Sequence, residues 1–259
     1  MTTSTGRRTP RADCIADAAG GVTFDIAGVN APDAALVLRR RGGTAAADTV
    51  RLPLTPVGGD RSRAVLPSTV DLAEGHWDAY TDDDVAIEPG IRDVRALVDR
   101  VPEAGRVVVR VPLPTADGRL AVRCWMREPH AEAGDIGFEQ GSCMIEGMLY
   151  GAEFGPGAVA EARLGGKVHQ LPVTGEGGGS FRFTLPYATL VEAPVEKQQM
   201  WTLWLRPAEG AKPVRISRIL DDVWDRKSIF VYPVHEADDF RATPCYTNDN
   251  DLCVRLTSK

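Results

Sequence analysis

The sequence contains none of the short motifs that mark the common catalytic and nucleotide-binding sites. It has no G-x-S-x-G nucleophile elbow, no phosphate-binding glycine loop followed by lysine, no dinucleotide fingerprint and no H-E-x-x-H pair. These absences argue against α/β-hydrolases, P-loop and Rossmann enzymes and zincin metalloproteases. The sequence therefore predicts no cofactor and no metal ion, and any catalytic site would have to be assembled across the fold.

Histidine and cysteine are both scarce. The four histidines stand apart in the sequence, which disfavours a local zinc site. The five cysteines form no C-x-x-C pair, and their odd number leaves at least one unpaired in any disulfide scheme. We therefore expect reduced, partly buried thiols rather than a disulfide framework.

Long apolar runs are also missing. No stretch is long enough for a membrane helix, and the segment from Met1 to Pro10 is polar where a signal peptide would be apolar. The formal net charge of -6, with both signs interspersed, argues against nucleic acid or an anionic membrane surface as the main partner. We expect a cytoplasmic protein with neither kind of partner.

Sustained helical periodicity is absent, and short alternating stretches take its place. Nowhere does the i, i+3, i+4, i+7 pattern continue for three turns, whereas Ser180 to Leu185 alternates strictly between apolar and polar residues. Similar stretches recur about every ten residues between turn signals. This pattern predicts an all-β protein, and it favours a β-sandwich of immunoglobulin type over a barrel.

One stretch of sequence occurs twice. Residues 112–123 and 244–255 both read P-x-x-T-x-D-x-x-L-x-V-R, a turn cluster that leads into a strand. The two halves of the sequence can be aligned on these two copies, and Trp77 and Trp201 then occupy equivalent positions. The sequence therefore predicts tandem immunoglobulin-like β-sandwiches that arise from an internal duplication.

The predicted boundary between the two sandwiches lies just before the first copy of the repeat. The first domain is expected over 1–111 and the second over 112–259, while the strand at 119–125 could belong to either. Both halves are predicted to close with an apolar strand, Arg106 to Val111 in one and Ile229 to Val234 in the other.

Aromatic residues supply the best candidates for ligand binding. Trp201, Leu203 and Leu205 share one face of a predicted strand and should face the core. Trp204 then points to the opposite face, where its ring is either covered by a neighbouring element, which we favour, or exposed for a ligand. Trp224 lies among charges of both signs, as residues of a polar-ligand pocket do, although a domain-closing loop would look the same. The ligand-binding candidates are Trp204, Trp224, Tyr232, Tyr246 and Asp249.

Titratable residues give weaker candidates for catalysis. His130 and Glu132 share a strand face, where a structural pair at a strand end is the favoured interpretation. Asp221 and Asp222 are expected in a solvated turn. Asp249, whose counterpart in the first half is Asp117, is expected to form an Asx-type turn rather than a calcium site. If the protein is an enzyme, the acid–base residues are expected among His130, Glu132, Asp221 and Asp222.

Four motifs of the second half together resemble a known kind of module. They are His130-Ala131-Glu132, the stretch Trp201-x-Leu203-Trp204-Leu205, the stretch Leu220-Asp221-Asp222-x-x-Asp225-Arg226-Lys227, and the stretch Tyr246-Thr247-x-Asp249-Asn250-Asp251-Leu252. They are similar to actinobacterial β-sandwich modules that accompany glycosyltransferases and CDP-glycerol-type polyol-phosphate transferases. The resemblance implies an accessory or binding role near glycan or secondary-metabolite assembly.

Two functional hypotheses follow from these observations. The first is a non-catalytic tandem β-sandwich that binds a carbohydrate-like ligand or a partner biosynthetic enzyme. The alternative is a metal-free enzyme of specialised metabolism, of cyclase or transferase type, with its pocket at the seam between the two sandwiches.

Overall fold

The structure is a computed structural model that describes residues 9–29, 31, 33–98, 100–102, 105–175, 177–192 and 194–259. Most of the N-terminal segment in which we expect no signal peptide therefore lies outside the described residues. The described residues form 21 β-strands and one helix of four residues, so the prediction of an all-β protein is confirmed. No helix among them is long and apolar enough to span a membrane.

The chain divides into two compact units. The first comprises residues up to Val101 together with Val108–Met126 and Leu220–Trp224. The second comprises Pro102–Val107, Arg127–Ile219 and Asp225–Lys259.

The first unit is built from two five-stranded sheets. One sheet has the strand order β5-β6-β2-β1-β8 and the other has the order β4-β3-β7-β10-β9, with β1 parallel to β8 and antiparallel to β2. The strands are β1 Arg11–Ala16, β2 Val22–Ala27, β3 Ala35–Arg40, β4 Thr49–Pro53, β5 Thr55–Gly58, β6 Arg61–Leu66, β7 Gly75–Thr81, β8 Glu88–Asp93, β9 Val107–Pro114 and β10 Leu120–Arg127. Short 3₁₀ turns occupy Ala46–Asp48 and Arg95–Leu97.

Both sheets of the first unit contribute to one core, as a β-sandwich requires. Phe24 and Ile26 of β2 pack in the same apolar cluster as Leu36 of β3 and Trp77 of β7, and all four are fully buried. Since β10 pairs antiparallel with β7, the strand predicted at 119–125 lies in the first unit. The compact units therefore do not divide at the predicted boundary after residue 111.

The strands of the second unit form one connected sheet of eleven strands, with a strand order related to that of the first unit. Strands β15-β16-β12-β11-β18 follow one another in one part, and β14-β13-β17-β21-β20-β19 in the other, with pairing between β17 and β18 joining the two. The strands are β11 His130–Glu139, β12 Ser142–Tyr150, β13 Val159–Leu164, β14 Lys167–Pro172, β15 Thr174–Gly175, β16 Ser180–Pro186, β17 Gln199–Arg206, β18 Val214–Ser217, β19 His235–Glu236, β20 Phe240–Tyr246 and β21 Leu252–Ser258. The helix α1 spans Arg226–Ile229, and 3₁₀ turns occupy Gly177–Gly179 and Tyr187–Leu190.

Alternation along single strands decides which side chains reach the core of the second unit. In β16 every second residue is buried, including Phe181 and Phe183, which confirms the alternation predicted for this stretch. In β17 the buried residues are Trp201, Leu203 and Leu205, as predicted.

The predicted closing strand at Ile229 to Val234 is wrong. Ile229 ends α1, residues 230–234 are irregular, and the strand that runs into the second copy of the repeat is β20. Asp225 explains the difference, because its side chain accepts a hydrogen bond from the Ser228 N–H at 3.3 Å and so caps the helix.

The strand orders of the two units correspond, apart from β19, which has no equivalent among the described strands of the first unit. Strand β1 takes the place of β11, β7 that of β17, and β10 that of β21, and each unit has one parallel pair, β1 with β8 and β11 with β18. This correspondence matches the alignment of the two halves of the sequence. The internal duplication itself stays a prediction.

Candidate functional site

A cleft on the second unit brings together two of the predicted ligand-binding residues. Tyr232 and Tyr246 both line it, and their hydroxyl oxygens lie 3.3 Å apart. The cleft has a volume of about 430 Å³, which lies within the range of small-molecule sites. Its walls come from β20 and β21, from the start of β17, from α1 and from the segment that follows α1.

An aromatic cluster forms the apolar part of the cleft. The ring centroid of Tyr246 lies 6.1 Å from that of Tyr232 and 6.2 Å from that of Phe230, the latter pair edge to face. Phe138 adds a fourth ring, 5.8 Å from Tyr232. Tyr246 is only 1% exposed, and this burial raises the pKa of its hydroxyl. The Tyr246 hydroxyl therefore stays protonated and can donate a hydrogen bond at neutral pH.

Positive charge surrounds this aromatic cluster. Lys227 and Arg255 line the cleft directly. The buried guanidinium of Arg226 lies 4.7 Å from the centroid of Phe230 and 5.7 Å from that of Tyr246, at cation–π distance. Burial lowers the pKa of Arg226 to about 10, so the side chain keeps its charge at neutral pH. No carboxylate is found among the described residues that line the cleft.

Of the cleft residues that sequence reasoning missed, Lys227, Phe230 and Arg255 contribute the cations and one of the rings. The first two depend on α1, which the sequence analysis replaced with part of a strand. The signal that could have shown them is the capping residue Asp225, placed three residues before Ser228 at the start of an apolar run. Arg255 lies within the repeat itself, where its match with Arg123 gave no indication of function.

Asp249 lies in an exposed turn between β20 and β21. The Thr247 hydroxyl oxygen accepts hydrogen bonds from the backbone N–H groups of Asp249 and Asp251, both at 3.2 Å. In the first repeat the hydroxyl oxygen of Thr115 accepts from the Arg119 N–H at 2.9 Å. The threonine therefore organises both turns, and the Asx-type turn at the aspartate stays a prediction.

The turn of the second repeat also carries a buried carboxylate. Asp251 is 1% exposed, and its carboxylate accepts hydrogen bonds from Arg127 at 3.1 Å, from Arg215 at 2.7 Å and from Ser217 at 2.6 Å. The first repeat has the exposed Arg119 at this position. Asp251 therefore ties the turn to β18, which is a structural role.

Trp204 is covered by charged side chains, as predicted. The guanidinium carbons of Arg163 and Arg215 lie 5.0 Å and 4.5 Å from its ring centroid, and its indole N–H donates to the Thr202 hydroxyl at 2.9 Å. The buried Glu161 accepts hydrogen bonds from Arg163 and from Arg206. These contacts place Trp204 in a network of arginines, away from the lining of the cleft.

His130 and Glu132 form the structural pair that the sequence analysis favoured. His130 Nε2 lies 2.7 Å from Glu132 Oε2, and the His130 side chain is fully buried. Both carboxylate oxygens of Glu132 accept from the Ile219 N–H at 3.0 Å. The pair therefore joins the start of β11 to the chain just after β18.

The remaining predicted residues, Asp221, Asp222 and Trp224, belong to the first unit. The Asp221 carboxylate accepts a hydrogen bond from the Val223 N–H at 3.0 Å, as in the turn predicted there. The Trp224 ring lies 4.3 Å from the guanidinium carbon of Arg92, whose pKa is lowered by burial. The structure thus assigns Trp224 to a different unit from Tyr232 and Tyr246.

The first unit has a larger cavity, of about 560 Å³. Its lining includes Arg61 and Asp13, which are joined to each other by an ion pair at 2.8 Å. None of the predicted site residues lines this cavity. Within the described ranges, no cluster of three or more His, Cys, Asp or Glu side chains could hold a metal ion.

Fold and cleft together define an all-β protein of two immunoglobulin-like sandwich units, the second with an aromatic and cationic cleft. No protein-family model and no curated protein sequence matches the chain. Among solved structures it is similar to S. aureus TarS, at 12% identity and a TM-score of 0.30, over 67% of this chain and 35% of TarS. A fragment of TarS, residues 217–571, matches at the same identity and score over 54% of its length. A marsupial T cell receptor matches at 6% identity and a TM-score of 0.28, over 96% of this chain and 92% of the receptor chain. The chain therefore spans about a third of TarS.

Proposed function

We propose that the protein is a non-catalytic accessory protein whose second unit binds a negatively charged, carbohydrate-like ligand. One observation carries this proposal: the aromatic rings of Phe230 and Tyr232 share a cleft of about 430 Å³ with the cations Lys227 and Arg255. Rings and cations in one small-molecule-sized cleft suit a ligand that has both apolar faces and anionic groups.

Sugars and polyols fit the polar groups of this cleft. The C–H faces of a sugar ring can stack on Tyr232 and Phe230, while its hydroxyl groups need both donors and acceptors. The Tyr232 hydroxyl and the Gln198 amide offer both kinds of partner. Lys227 and Arg255 would then pair with a phosphate or carboxylate of the ligand.

The resemblance to modules that accompany glycosyltransferases and polyol-phosphate transferases supports the same class of ligand. Polyol phosphates are rich in hydroxyl groups and negatively charged, which matches the chemistry of the cleft. The proposed setting is glycan or secondary-metabolite assembly in the cytoplasm. All five cysteines carry free thiols, and thiols persist in such a reducing compartment.

Isothermal titration with three probes tests this function. The probes are glycerol phosphate oligomers, oligogalacturonate and the neutral maltohexaose. We expect the two anionic probes to bind. Added salt should weaken their binding, because it screens the charges of Lys227 and Arg255. Tyr232→Ala should weaken binding about fivefold, since a stacking contact contributes about 1 kcal/mol. Lys227→Gln should weaken the binding of the anionic probes only.

A matched variant and a clear negative result complete the experiment. Tyr80→Ala removes a tyrosine of the first unit that packs under Arg39, so it should leave binding unchanged. If Tyr232→Ala binds as tightly as the unaltered protein, the ligand does not occupy this cleft. If none of the probes binds, the proposal of a carbohydrate-like ligand is wrong.

A partner biosynthetic enzyme is the second candidate for what the cleft region binds. Ile229, Val231 and Val234, on the segment that borders the cleft, are 56%, 90% and 51% exposed. Exposed apolar side chains in one segment are typical of protein–protein contact sites. Ile229→Ser, at a residue that does not line the cleft, would abolish binding to such a partner while leaving the titrations with glycan probes unchanged.

A further inference from the structure

Two cysteines of the second unit face each other across a pair of antiparallel strands. Cys245 of β20 lies directly opposite Cys253 of β21, and their sulfur atoms are 3.5 Å apart. Directly opposed residues have Cα atoms about 4.5–5.5 Å apart, which lies within the range of about 4.4–6.8 Å that a disulfide tolerates. The backbone therefore already fits a disulfide between these two residues, although both thiols are free.

The two thiols differ in exposure. Cys245 is half-buried and lines the cleft that also holds Tyr232 and Tyr246, whereas Cys253 is fully buried behind it. A molecule in the cleft can reach the Cys245 sulfur directly, and it can reach Cys253 only through Cys245. This arrangement gives one attacking thiol and one resolving thiol.

The surroundings of Cys245 favour its thiolate. A hydrogen bond from Cys253 lowers the pKa of Cys245, and the positive charges of Arg255 and Lys227 lower it further. The same hydrogen bond raises the pKa of Cys253, together with burial. Since the thiolate is the nucleophile in disulfide exchange, Cys245 is the member of the pair that attacks.

We propose that Cys245 is a thiol–disulfide exchange site for anionic low-molecular-weight disulfides and that Cys253 resolves the resulting mixed disulfide. The Cys245 thiolate attacks one sulfur of the small disulfide, a new bond forms from Cys245 to that sulfur, and the other half leaves as a thiolate. The Cys253 sulfur then attacks the Cys245 sulfur and the second small thiolate leaves. The two protons of the protein thiols end on the two small thiols, and the two cysteines are oxidised while the small disulfide is reduced.

The cleft defines the chemical class of this disulfide. Lys227 and Arg255 line it on the same side of the molecule as Cys245, so a disulfide with carboxylate groups is attracted and a cationic one is repelled. This exchange does not depend on the proposed carbohydrate binding, because it requires only the thiol pair and the two cations. Titration of the glycan probes and exchange with a disulfide can therefore fail independently.

Intact-mass analysis of the reduced, folded protein tests the proposal. The probes are glutathione disulfide, which is anionic, and cystamine, which is cationic. With glutathione disulfide we expect the loss of two hydrogen masses and a Cys245–Cys253 crosslink on peptide mapping. The rate with glutathione disulfide should exceed the rate with cystamine about tenfold at low salt, and Lys227→Gln should reduce this preference. Lys167→Gln, which changes an exposed lysine paired with Glu192, serves as the matched control and should leave the preference unchanged.

Single-cysteine variants separate the two roles. Cys253→Ser should stop at a stable mixed disulfide on Cys245, whereas Cys245→Ser should form no adduct. Cys143→Ser should behave as the unaltered protein, because Cys143 is fully buried and burial raises its pKa to about 11. The proposal is overturned if the unaltered protein forms no crosslink, if Cys245→Ser is modified at the same rate, or if cystamine reacts as fast as glutathione disulfide.

Discussion

At the scale of single residues, two tryptophans three positions apart on β17 have opposite environments. Trp201 is 1% exposed within the apolar core, and its indole N–H donates to the Gln199 side chain at 3.1 Å. Trp204 lies on the other face between Arg163 and Arg215. The alternation of β17 separates them, and this much could be predicted from the sequence. The arginines that cover Trp204 could not, because they come from two other strands.

Substitution of these tryptophans should have unequal effects on stability. Trp201→Ala leaves a cavity in the core, so we expect the free energy of unfolding to fall by about 3–5 kcal/mol. Trp204→Ala removes partly exposed cation–π contacts and should cost about 1–2 kcal/mol. Urea unfolding of both variants and of the unaltered protein measures the difference. Equal losses would contradict the assignment of Trp201 to the core face of β17 and of Trp204 to the opposite face.

At the scale of elements, the repeated turn shows how one sequence pattern can carry two different networks. The backbone bonds are the same in both copies: Thr115 N–H donates to Arg119 O at 2.8 Å, and Thr247 N–H donates to Asp251 O at 2.9 Å. Gly118 and Asn250 both take the positive φ that the turn requires, +77° and +59°. Only the second copy adds a buried carboxylate, so the recurring residues build the turn and the differing residue anchors it.

Two aspartates of that second turn should therefore respond differently to substitution. Asp251→Ala leaves the cationic groups of Arg127 and Arg215 without their shared carboxylate, and we expect a loss of about 3–5 kcal/mol in the free energy of unfolding. Asp249→Ala changes an exposed side chain and should stay within about 0.5 kcal/mol. Thermal unfolding of the two variants side by side provides the measurement. A large loss for Asp249→Ala would show that the exposed aspartate has a structural role.

The segment from α1 to β19 is the element that sequence patterns described least well. Its residues 229–234 form a continuous apolar run, which a buried strand can also show, yet Asp225 caps a helix and Pro233 interrupts any ladder. The irregular chain from Phe230 to Val234 forms one wall of the cleft. Because the sequence analysis predicted a strand there, it did not predict the cleft either. Tyr232 and Tyr246, by contrast, were among the predicted ligand-binding candidates, and both line the cleft.

At the scale of the whole molecule, paired carboxylates dominate the response to acid. An Arg61 hydrogen bond, followed by the Ile91 N–H, lowers the pKa of Asp13, and a hydrogen bond from Arg95 lowers the pKa of Asp93 to about 2. Hydrogen bonds likewise lower the pKa values of Asp48, Asp117 and Glu192. Each depressed pKa means that folding is favoured by the charged carboxylate, so the stabilisation is present above the unfolded value and is lost in acid.

The urea midpoint should therefore be nearly constant from pH 7 to 5 and should fall as the pH decreases from about 4 towards 2, the window that the pKa shifts define. Asp13→Asn should make this fall smaller, because its carboxylate joins β1 to β6 and β8 in the folded state only. Arg61→Gln should reproduce part of the effect, as the Ile91 N–H remains. A midpoint that rises in acid would contradict the assigned direction.

The sequence by itself determined the all-β class, the core faces of strands such as β16 and β17, and the places where the repeated turns lie. These properties follow from alternation and turn chemistry, which act between residues close together in the chain. Only the tertiary structure decided that β10 belongs with the first unit, that Asp251 is buried among arginines, and that Cys245 meets Cys253 beside Lys227 and Tyr232. Each of these depends on which strand lies beside which, and that choice is set by packing between residues far apart in the sequence.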